Sequence, residues 1–216
     1  ADFVTALENL RKVFFRLQNA GLKLQPAKCN LMQRETKFLG HVVSGDGVRC
    51  DPQKCEKVRC WPVPKNVSEV RQFLGLASYY RDFIRNFSAI AAPLSRLTSK
   101  KVKFEWTPLC QEAFEALKCK LVEPPLLARP SDHDLFILDT DASNDGVGGV
   151  LSQVQGGLEV PIAYASRTLS ASQRSYCTTR KELYAVVAMT HHFRQYLLGR
   201  RFKLRVDHAS LLWLLN

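Results

Sequence analysis

The fold is decided by the stretch Leu135-Phe136-Ile137-Leu138-Asp139-Thr140-Asp141-Ala142-Ser143, which is followed by Asn144-Asp145-Gly146-Val147-Gly148-Gly149-Val150. It predicts an apolar strand that ends in acidic residues, a tight turn, and a second strand that begins on glycines. Because side chains alternate along a strand, Asp139 and Asp141 point to one face. A buried, unpaired carboxylate is costly, whereas Mg²⁺ selects such hard oxygen ligands. The stretch indicates either a metal-binding sheet edge or two solvated acids at a strand exit.

A second segment, residues 175–198, predicts a helix with an acid at the head of an apolar row. Glu182 shares one helical stripe with Val186, Met189 and Phe193. Thr179 precedes Glu182 by three residues, which is the spacing of a capping box. Glu182 is therefore either a functional carboxylate or the partner of an ordinary helix cap.

A third segment, residues 202–208, predicts an alternating strand that ends at Asp207, and residues 209–215 predict a following helix. Asp207 either caps that helix or completes a set of acids at the ends of regular elements. Two metal ions held by such carboxylates would activate a water and stabilise the leaving oxygen of a phosphodiester.

The net charge of +11 is unevenly distributed along the chain. Residues 1–127 carry 21 basic and 12 acidic side chains, whereas residues 128–216 carry 10 and 8. The basic excess therefore lies upstream of the acids. This distribution favours a polyanionic partner held by the upstream part and presented to metals downstream. The alternative is a solvated basic surface without a partner.

The cysteine usage points inside the cell. Seven cysteines occur and no two form a CxxC pair, which favours reduced, mostly buried thiols. No signal peptide and no apolar run near the roughly 20 residues of a membrane span are present, so we expect no membrane partner. The first residue is Ala1, and we expect a piece of a longer protein.

The upstream region predicts a helix over residues 6–21, strand-like runs at 28–32 and 36–44, and then several helices. Gly40 would lie within a strand, where glycine marks either a close approach of another backbone or a bulge. Asp51, Asn66 or Ser68, and Thr107 are the expected helix caps. Pro93 is expected to interrupt a helix.

Several motifs together resemble the RNase H domain of gypsy-type LTR retrotransposon reverse transcriptases. The resemblance implies that Asp141, Glu182 and Asp207 are three of four metal-binding carboxylates of a two-metal Mg²⁺ site. Asp139 matches no catalytic position. The fourth carboxylate of the family lies in a later helix, and we expect it to be missing from this sequence, which ends at Asn216. The matching motifs are Thr140-Asp141-Ala142-Ser143, Ile162-Ala163-Tyr164-Ala165-Ser166-Arg167-Thr168-Leu169-Ser170, Thr179-Arg180-Lys181-Glu182-Leu183 and Val206-Asp207-His208.

The upstream motifs resemble the end of the palm and the thumb of the same enzymes. The resemblance implies that a hairpin grips the primer strand and that helices contact the duplex backbone, mostly at phosphates. The palm-like motifs are Asn19-Ala20-Gly21-Leu22-Lys23-Leu24, Lys28-Cys29 and Phe38-Leu39-Gly40-His41. The thumb-like motifs are Trp61-Pro62-Val63-Pro64, Phe73-Leu74-Gly75-Leu76-Ala77-Ser78-Tyr79-Tyr80-Arg81 and Phe104-Glu105-Trp106-Thr107. The nucleic-acid-binding residues expected from them are Phe38, Leu39, Gly40, Arg71, Gly75 and Tyr79.

The resemblance predicts three regions: the end of the palm with its hairpin (1–50), a helical thumb (51–127) and an RNase H-like domain truncated at its C-terminus (128–216). The fold class would be α+β followed by α/β, with a mixed sheet flanked by helices. The implied activity is metal-dependent hydrolysis of the RNA strand of RNA–DNA hybrids, while the family's polymerase motif Tyr-x-Asp-Asp is absent from the sequence. The alternative is a non-catalytic module that binds nucleic acid.

The partners implied are an RNA–DNA hybrid or a DNA duplex and the rest of a Pol polyprotein. The expected location is intracellular: cytoplasm, virus-like particle or nucleus. The sequence leaves the oligomeric state open.

Overall fold

A computed structural model describes residues 2–100, 102–208 and 211. Along the chain, an N-terminal helix is followed by a three-stranded sheet, a set of helices, and a second sheet with its own helices. The chain divides into two compact units, residues 1–34 and residues 35–216. The helices are α1 (Phe3–Asn19), α2 (Pro52–Arg59), α3 (Val67–Tyr79), α4 (Phe87–Leu97), α5 (Pro108–Val122), α6 (Ala171–Arg174), α7 (Thr178–His192) and α8 (Arg194–Leu197). The strands are β1 (Glu35–Phe38), β2 (His41–Ser44), β3 (Val48–Cys50), β4 (Phe136–Ala142), β5 (Gly146–Gln155), β6 (Leu158–Thr168) and β7 (Phe202–Val206).

The first unit consists of α1 and a short 3-10 helix. The Asp2 side chain accepts a hydrogen bond from the Thr5 backbone N–H at 2.8 Å and caps α1. Gly21 follows the helix with a φ of +68°, a conformation that glycine adopts without steric cost. The strand expected at residues 28–32 is wrong, because Pro26–Lys28 form the 3-10 helix.

The three-stranded sheet of the second unit has the order β1-β2-β3, with both pairs antiparallel. The single strand expected over residues 36–44 is wrong, because the chain reverses at Leu39 and Gly40, whose φ angles are +46° and +73°. A two-residue turn with two positive φ angles matches the twist of a hairpin. Gly40 therefore makes the turn.

Helices α2 to α5 include three that begin at the caps that the sequence predicts. Asp51, Asn66 and Thr107 each accept a backbone N–H from the first turn of the helix that follows. The expected interruption at Pro93 is wrong, because Pro93 lies inside α4. Proline removes one helical hydrogen bond, and the buried face of α4, which includes Ala91, keeps the helix in place through its packing.

An aromatic core holds these helices together. The ring centroids of Phe73 and Phe114 are 4.6 Å apart, and Trp61 meets Phe73 edge-on at 6.0 Å. Such edge and tilted pairs add to the hydrophobic stabilisation of burial. Phe73 on α3 and Phe114 on α5 are both fully buried in this core.

The second sheet has the strand order β6-β5-β4-β7. β4 is antiparallel to β5 and parallel to β7, so the sheet is mixed as predicted. α7 packs on one face, where a Cβ built on Gly149 would lie 2.8 Å from Cγ of Met189. α4 contacts β5 and β6. Of the helix predicted at residues 209–215, only Leu211 lies within the described residues.

Five of the seven cysteines are at least partly exposed to solvent. All seven cysteines are free, but only Cys50 and Cys110 are buried, so the expectation of mostly buried thiols is wrong. Within the described part of the chain, no helix has both the length and the apolar character needed to cross a bilayer.

Candidate active site

Glu182 is the buried acid of the candidate site. It lies in the second turn of α7, only 4% exposed, and its carboxylate accepts a hydrogen bond from the Ala142 backbone N–H at the end of β4. Its Oε2 atom is buried and has no hydrogen-bond partner among the described residues. The cap interpretation is wrong, because α7 begins at Thr178 after Cys177.

The pKa of Glu182 reflects this position. Burial raises it from 4.5 to about 7, and the charges of Asp207 and Asp141 act in the same direction, against the lowering effect of the Ala142 hydrogen bond. The two aspartates therefore lie close enough to Glu182 to act on its charge. The structure brings all three sequence-predicted acids into one electrostatic neighbourhood.

The parallel pairing of β4 and β7 places Asp141 beside Asp207. Thr140 is in register with Val206, and each aspartate is the next residue along the chain. Parallel strands end at the same edge of a sheet, so both acids leave at that edge. Asp207 is exposed, whereas Asp141 is half-buried.

Asp141 is contacted by Asn86 on the face of the sheet opposite α7. Asp141 is paired with Gly148 on β5, and a Cβ built on Gly148 would lie 2.4 Å from Oδ1 of Asn86. Asn86 precedes α4, and its Nδ2 atom donates to Oδ2 of Asp141 at 3.3 Å. The carboxylates of Asp141 and Glu182 thus come from opposite faces of the sheet and lie within electrostatic range of each other.

The described residues contain no set of three His, Cys, Asp or Glu side chains arranged to hold a metal ion as they stand. Three carboxylates without a counter-charge repel one another, and Asp141 is engaged by Asn86. A divalent cation is nevertheless compatible with the donor chemistry. Oε2 of Glu182 is a buried oxygen that no described residue contacts by a hydrogen bond, and two further carboxylates act on its charge.

Asp139, which matches no catalytic position of the family motif, has its own cationic partner. Nη2 of Arg205 donates to Oδ2 of Asp139 at 2.6 Å, and Nη1 of Arg205 donates to Glu159 at 2.9 Å. Asp139 and Arg205 are in register on β4 and β7. Asp139 is therefore an ion-pair residue of the sheet.

Sequence reasoning missed three contacts around the acids. Oγ1 of Thr179 and Nε2 of His208 are 2.9 Å apart and join the start of α7 to the segment after β7. Nζ of Lys181 donates to Oδ1 of Asn144 at 3.2 Å in the β4–β5 turn. His208 is adjacent to Asp207, a signal that the sequence contained. The third contact, that of Asn86 with Asp141, spans 55 residues and gave no local signal.

The candidate nucleic-acid residues of the hairpin lie at its exposed tip. Phe38 is 63% exposed and Leu39 is 71% exposed. The hydroxyls of Tyr79 and Tyr80 donate to the carbonyls of Leu39 and Gly40, the latter at 2.8 Å. The hairpin turn is therefore fastened to the end of α3 while its apolar side chains face outward.

Three candidate residues share one exposed row of α3. Arg71, Gly75 and Tyr79 are spaced by four residues, which places them on one face of a helix. No described atom outside the helix lies within 4 Å of a Cβ built on Gly75, and the Arg71 guanidinium donates to the Thr98 carbonyl at 3.0 Å. The row ends at Tyr79, which contacts the hairpin.

A family model described as "RNase H-like domain found in reverse transcriptase" matches residues 106–204. The Pol polyproteins of transposons 297 and 412 of Drosophila melanogaster are 43% and 39% identical to the chain over 97% of its length. The Tf2-3 polyprotein of Schizosaccharomyces pombe is 36% identical over 95%. The chain is homologous to one segment of retrotransposon Pol polyproteins. It spans 20%, 17% and 16% of these three relatives, and the gypsy-type resemblance agrees with them.

Solved structures with the same fold come from foamy viral protease–reverse transcriptase. The complex of that protein with an RNA/DNA hybrid has a TM-score of 0.82 and 24% identity to this chain, and the match covers 99% of this chain and 29% of that one. Its complex with double-stranded DNA has a TM-score of 0.77 and 25% identity over 97% and 44%. The likeness confirms the predicted fold class, an RNase H-like mixed sheet with helices.

The raised pKa of Glu182 predicts a pH-dependent cost to stability. A carboxyl whose pKa rises on folding destabilises the folded state when it ionises: the cost is absent below about pH 4.5 and fully present above about pH 7. We expect Glu182→Gln to raise the free energy of unfolding at pH 8 by up to about 3 kcal/mol. The gain should shrink towards zero as the pH falls to 4.5, as measured by urea unfolding.

The matched control is Glu112→Gln, which neutralises an exposed carboxylate on α5 and should change stability by less than about 0.5 kcal/mol. A gain for Glu182→Gln that is equal at pH 4.5 and at about pH 8 would contradict the assigned environment.

Proposed function

We propose that residues 128–216 form an RNase H-like domain that hydrolyses the RNA strand of RNA–DNA hybrids with divalent cations, Mg²⁺ in the first place. The observation that carries the proposal is the buried carboxylate of Glu182, with an oxygen unpartnered among the described residues, in the electrostatic range of Asp141 and Asp207. A site that keeps three carboxylates together is suited to a metal.

Asp141, Glu182 and Asp207 would hold the cations in this proposal. The metals would supply an activated water and charge stabilisation for the leaving oxygen of the phosphodiester. Glu182 contributes an oxygen from a buried, rigid position, and Ala142 fixes the orientation of its carboxylate through the backbone N–H. Asp207 contributes from an exposed position, where a substrate strand can approach.

A second part of the proposal concerns how a duplex is held. Residues 1–50 would be the end of a palm with its hairpin, and residues 51–127 would be a thumb. Support comes from the excess of basic side chains in residues 1–127 and from the exposed hairpin tip at Phe38 and Leu39. The solved relatives of this fold hold an RNA/DNA hybrid or double-stranded DNA, and we extend that class of partner to this chain.

RNA-directed DNA polymerase activity and assembly with other Pol regions are proposals for the whole protein only, since this chain covers about a fifth or less of its curated relatives. An intracellular location, in the cytoplasm, a virus-like particle or the nucleus, is proposed from the similarity to retrotransposon Pol polyproteins.

The second candidate function is a module that binds a duplex without cutting it. One observation favours it: the acids among the described residues do not form a group ready to hold a metal ion as they stand. The two functions share the duplex surface and differ in the chemistry at the sheet edge.

A cleavage assay separates the two functions. The chain is incubated with a hybrid labelled on its RNA strand, with Mg²⁺ or with EDTA. We expect Mg²⁺-dependent cutting of the RNA that Asp141→Asn and Glu182→Gln reduce by at least about a hundredfold, the order seen when a group that stabilises developing charge is removed.

Asp134→Asn is a matched control outside the proposed site. Its activity should equal that of the wild type. Cutting that survives Asp141→Asn would identify a contaminating nuclease, and hybrid binding without cutting would support the binding module and contradict the enzyme.

Gly75 allows a clean test of the duplex surface. Gly75→Ala should raise the free energy of unfolding by about 0.5–1 kcal/mol, because alanine is the better helix former and meets open space. If a phosphate backbone approaches α3 closely there, hybrid affinity should fall several-fold, as measured by fluorescence anisotropy at one fixed salt concentration.

Gly45→Ala is the control, since a Cβ there also meets open space and no contact with nucleic acid is proposed. A Gly75→Ala protein that is more stable and binds the hybrid as tightly as the wild type would remove Gly75 from the proposed surface.

A further inference from the structure

α4 is attached to the second sheet by polar contacts near both of its ends, through Ser88 in its first turn and Arg96 in its last. The Ser88 backbone N–H donates to Oγ of Ser166 at 3.0 Å, and the two serine hydroxyls are also 3.0 Å apart in a buried setting. Nη2 of Arg96 contacts Oδ1 of Asp145 at 2.7 Å. Buried, satisfied hydrogen bonds such as those between the two serines fix the position of α4 relative to the sheet. The residue before α4 is therefore held against the edge of the sheet where Asp141 lies.

Asn86 occupies the N-cap position of α4 but does not cap it. Asparagine is among the preferred caps because its side chain accepts a backbone N–H of the first turn; here the side chain makes no such bond. Its φ is +57°, in the left-handed region that asparagine tolerates better than most residues. The amide group is directed to Asp141 instead.

The absence of a side chain at Gly148 leaves space on the sheet for this amide. Gly148, which is paired with Asp141 on β5, has no side chain, and a Cβ there would lie 2.4 Å from Oδ1 of Asn86. Three independent features thus agree: a cap side chain that is turned away from its helix, a left-handed backbone, and a glycine opposite the amide.

We propose that Asn86 is a positioning residue for Asp141, through which the helical region controls the affinity of the sheet edge for a divalent cation. The inference rests on the proposed function, because it takes Asp141 as a metal ligand. By donating to Oδ2, Asn86 fixes the rotation of the carboxylate and leaves Oδ1 available to a cation. Carboxylate ligands are held by outer hydrogen bonds in this way, and loss of such a bond lowers metal affinity roughly 10- to 100-fold.

The coupling has a functional consequence. The partner of Asp141 lies in residues 51–127, the region proposed to hold a duplex, whereas Glu182 and Asp207 lie in residues 128–216. A displacement of α4 relative to the sheet would release the Asp141 carboxylate and weaken cation binding. Cation affinity at the sheet edge therefore depends on how the helical region is seated.

The test measures Mn²⁺ binding to the full 216-residue chain by isothermal titration calorimetry, without nucleic acid. Asn86→Gly removes the amide and keeps the left-handed backbone accessible. We expect a roughly 10- to 100-fold loss of Mn²⁺ affinity with the metal-free melting temperature little changed. Gly148→Ala, which displaces the amide by contact with its new Cβ, should give the same loss from the other side.

Two further variants distinguish a failure of the positioning role from a failure of the metal site itself. Asn66→Gly makes the same change at the exposed N-cap of α3, where the side chain hydrogen-bonds only with Glu69 among the described residues, and it should bind Mn²⁺ like the wild type; an equal loss in Asn66→Gly would overturn the positioning role. Asp141→Asn should abolish the binding. If Asp141→Asn binds weakly and Asn86→Gly binds as tightly as the wild type or more tightly, the inference fails and the metal site stands. If Asp141→Asn binds like the wild type, the metal site itself fails.

Discussion

The candidate site depends on one electrostatic constraint, a buried glutamate carboxylate within electrostatic range of two aspartates. Glu182 is carried by α7, which packs on the second sheet, while Asp141 and Asp207 lie at the ends of the adjacent parallel strands β4 and β7. Burial and like charge both oppose ionisation of Glu182, and its pKa is raised accordingly. Such an arrangement destabilises the fold unless a cation offsets it, which is the pattern expected where function outweighs stability.

The sheet edge is shared between two parts of the chain. α4 reaches the sheet through Ser88 and Arg96, and Asn86 contacts the Asp141 carboxylate. Elsewhere in the same helical region, the end of α3 fastens the β1–β2 hairpin through the hydroxyls of Tyr79 and Tyr80. The helices therefore contact both the proposed duplex surface and the proposed catalytic edge.

Many elements of the fold could be predicted from local sequence rules. The caps Asp51, Asn66 and Thr107 follow from residue chemistry that acts over a few positions, whereas the mixed sheet was implied by the family resemblance. The failures arose where tertiary packing or turn chemistry prevailed: Pro93 is accommodated within a packed helix, and Gly40 makes a turn with its neighbour.

In the candidate site, too, some features could be predicted from the sequence and others could not. The three acids were predictable because each stands at the end of a strand or near the start of a helix, where a local pattern marks it. The contact between Asn86 and Asp141 spans 55 residues and leaves no such pattern. The most direct measurement of the central claim is a ¹³C NMR titration of the Glu182 side-chain carboxyl in the presence and absence of Mg²⁺. Without the cation, the account predicts a pKa of about 7, because burial and the neighbouring aspartates disfavour the charged form. Saturating Mg²⁺ should lower that pKa by more than about one unit, since a bound cation favours the carboxylate. An ordinary pKa near 4.5, or a raised pKa that Mg²⁺ leaves unchanged, would contradict a metal-binding role for this cluster.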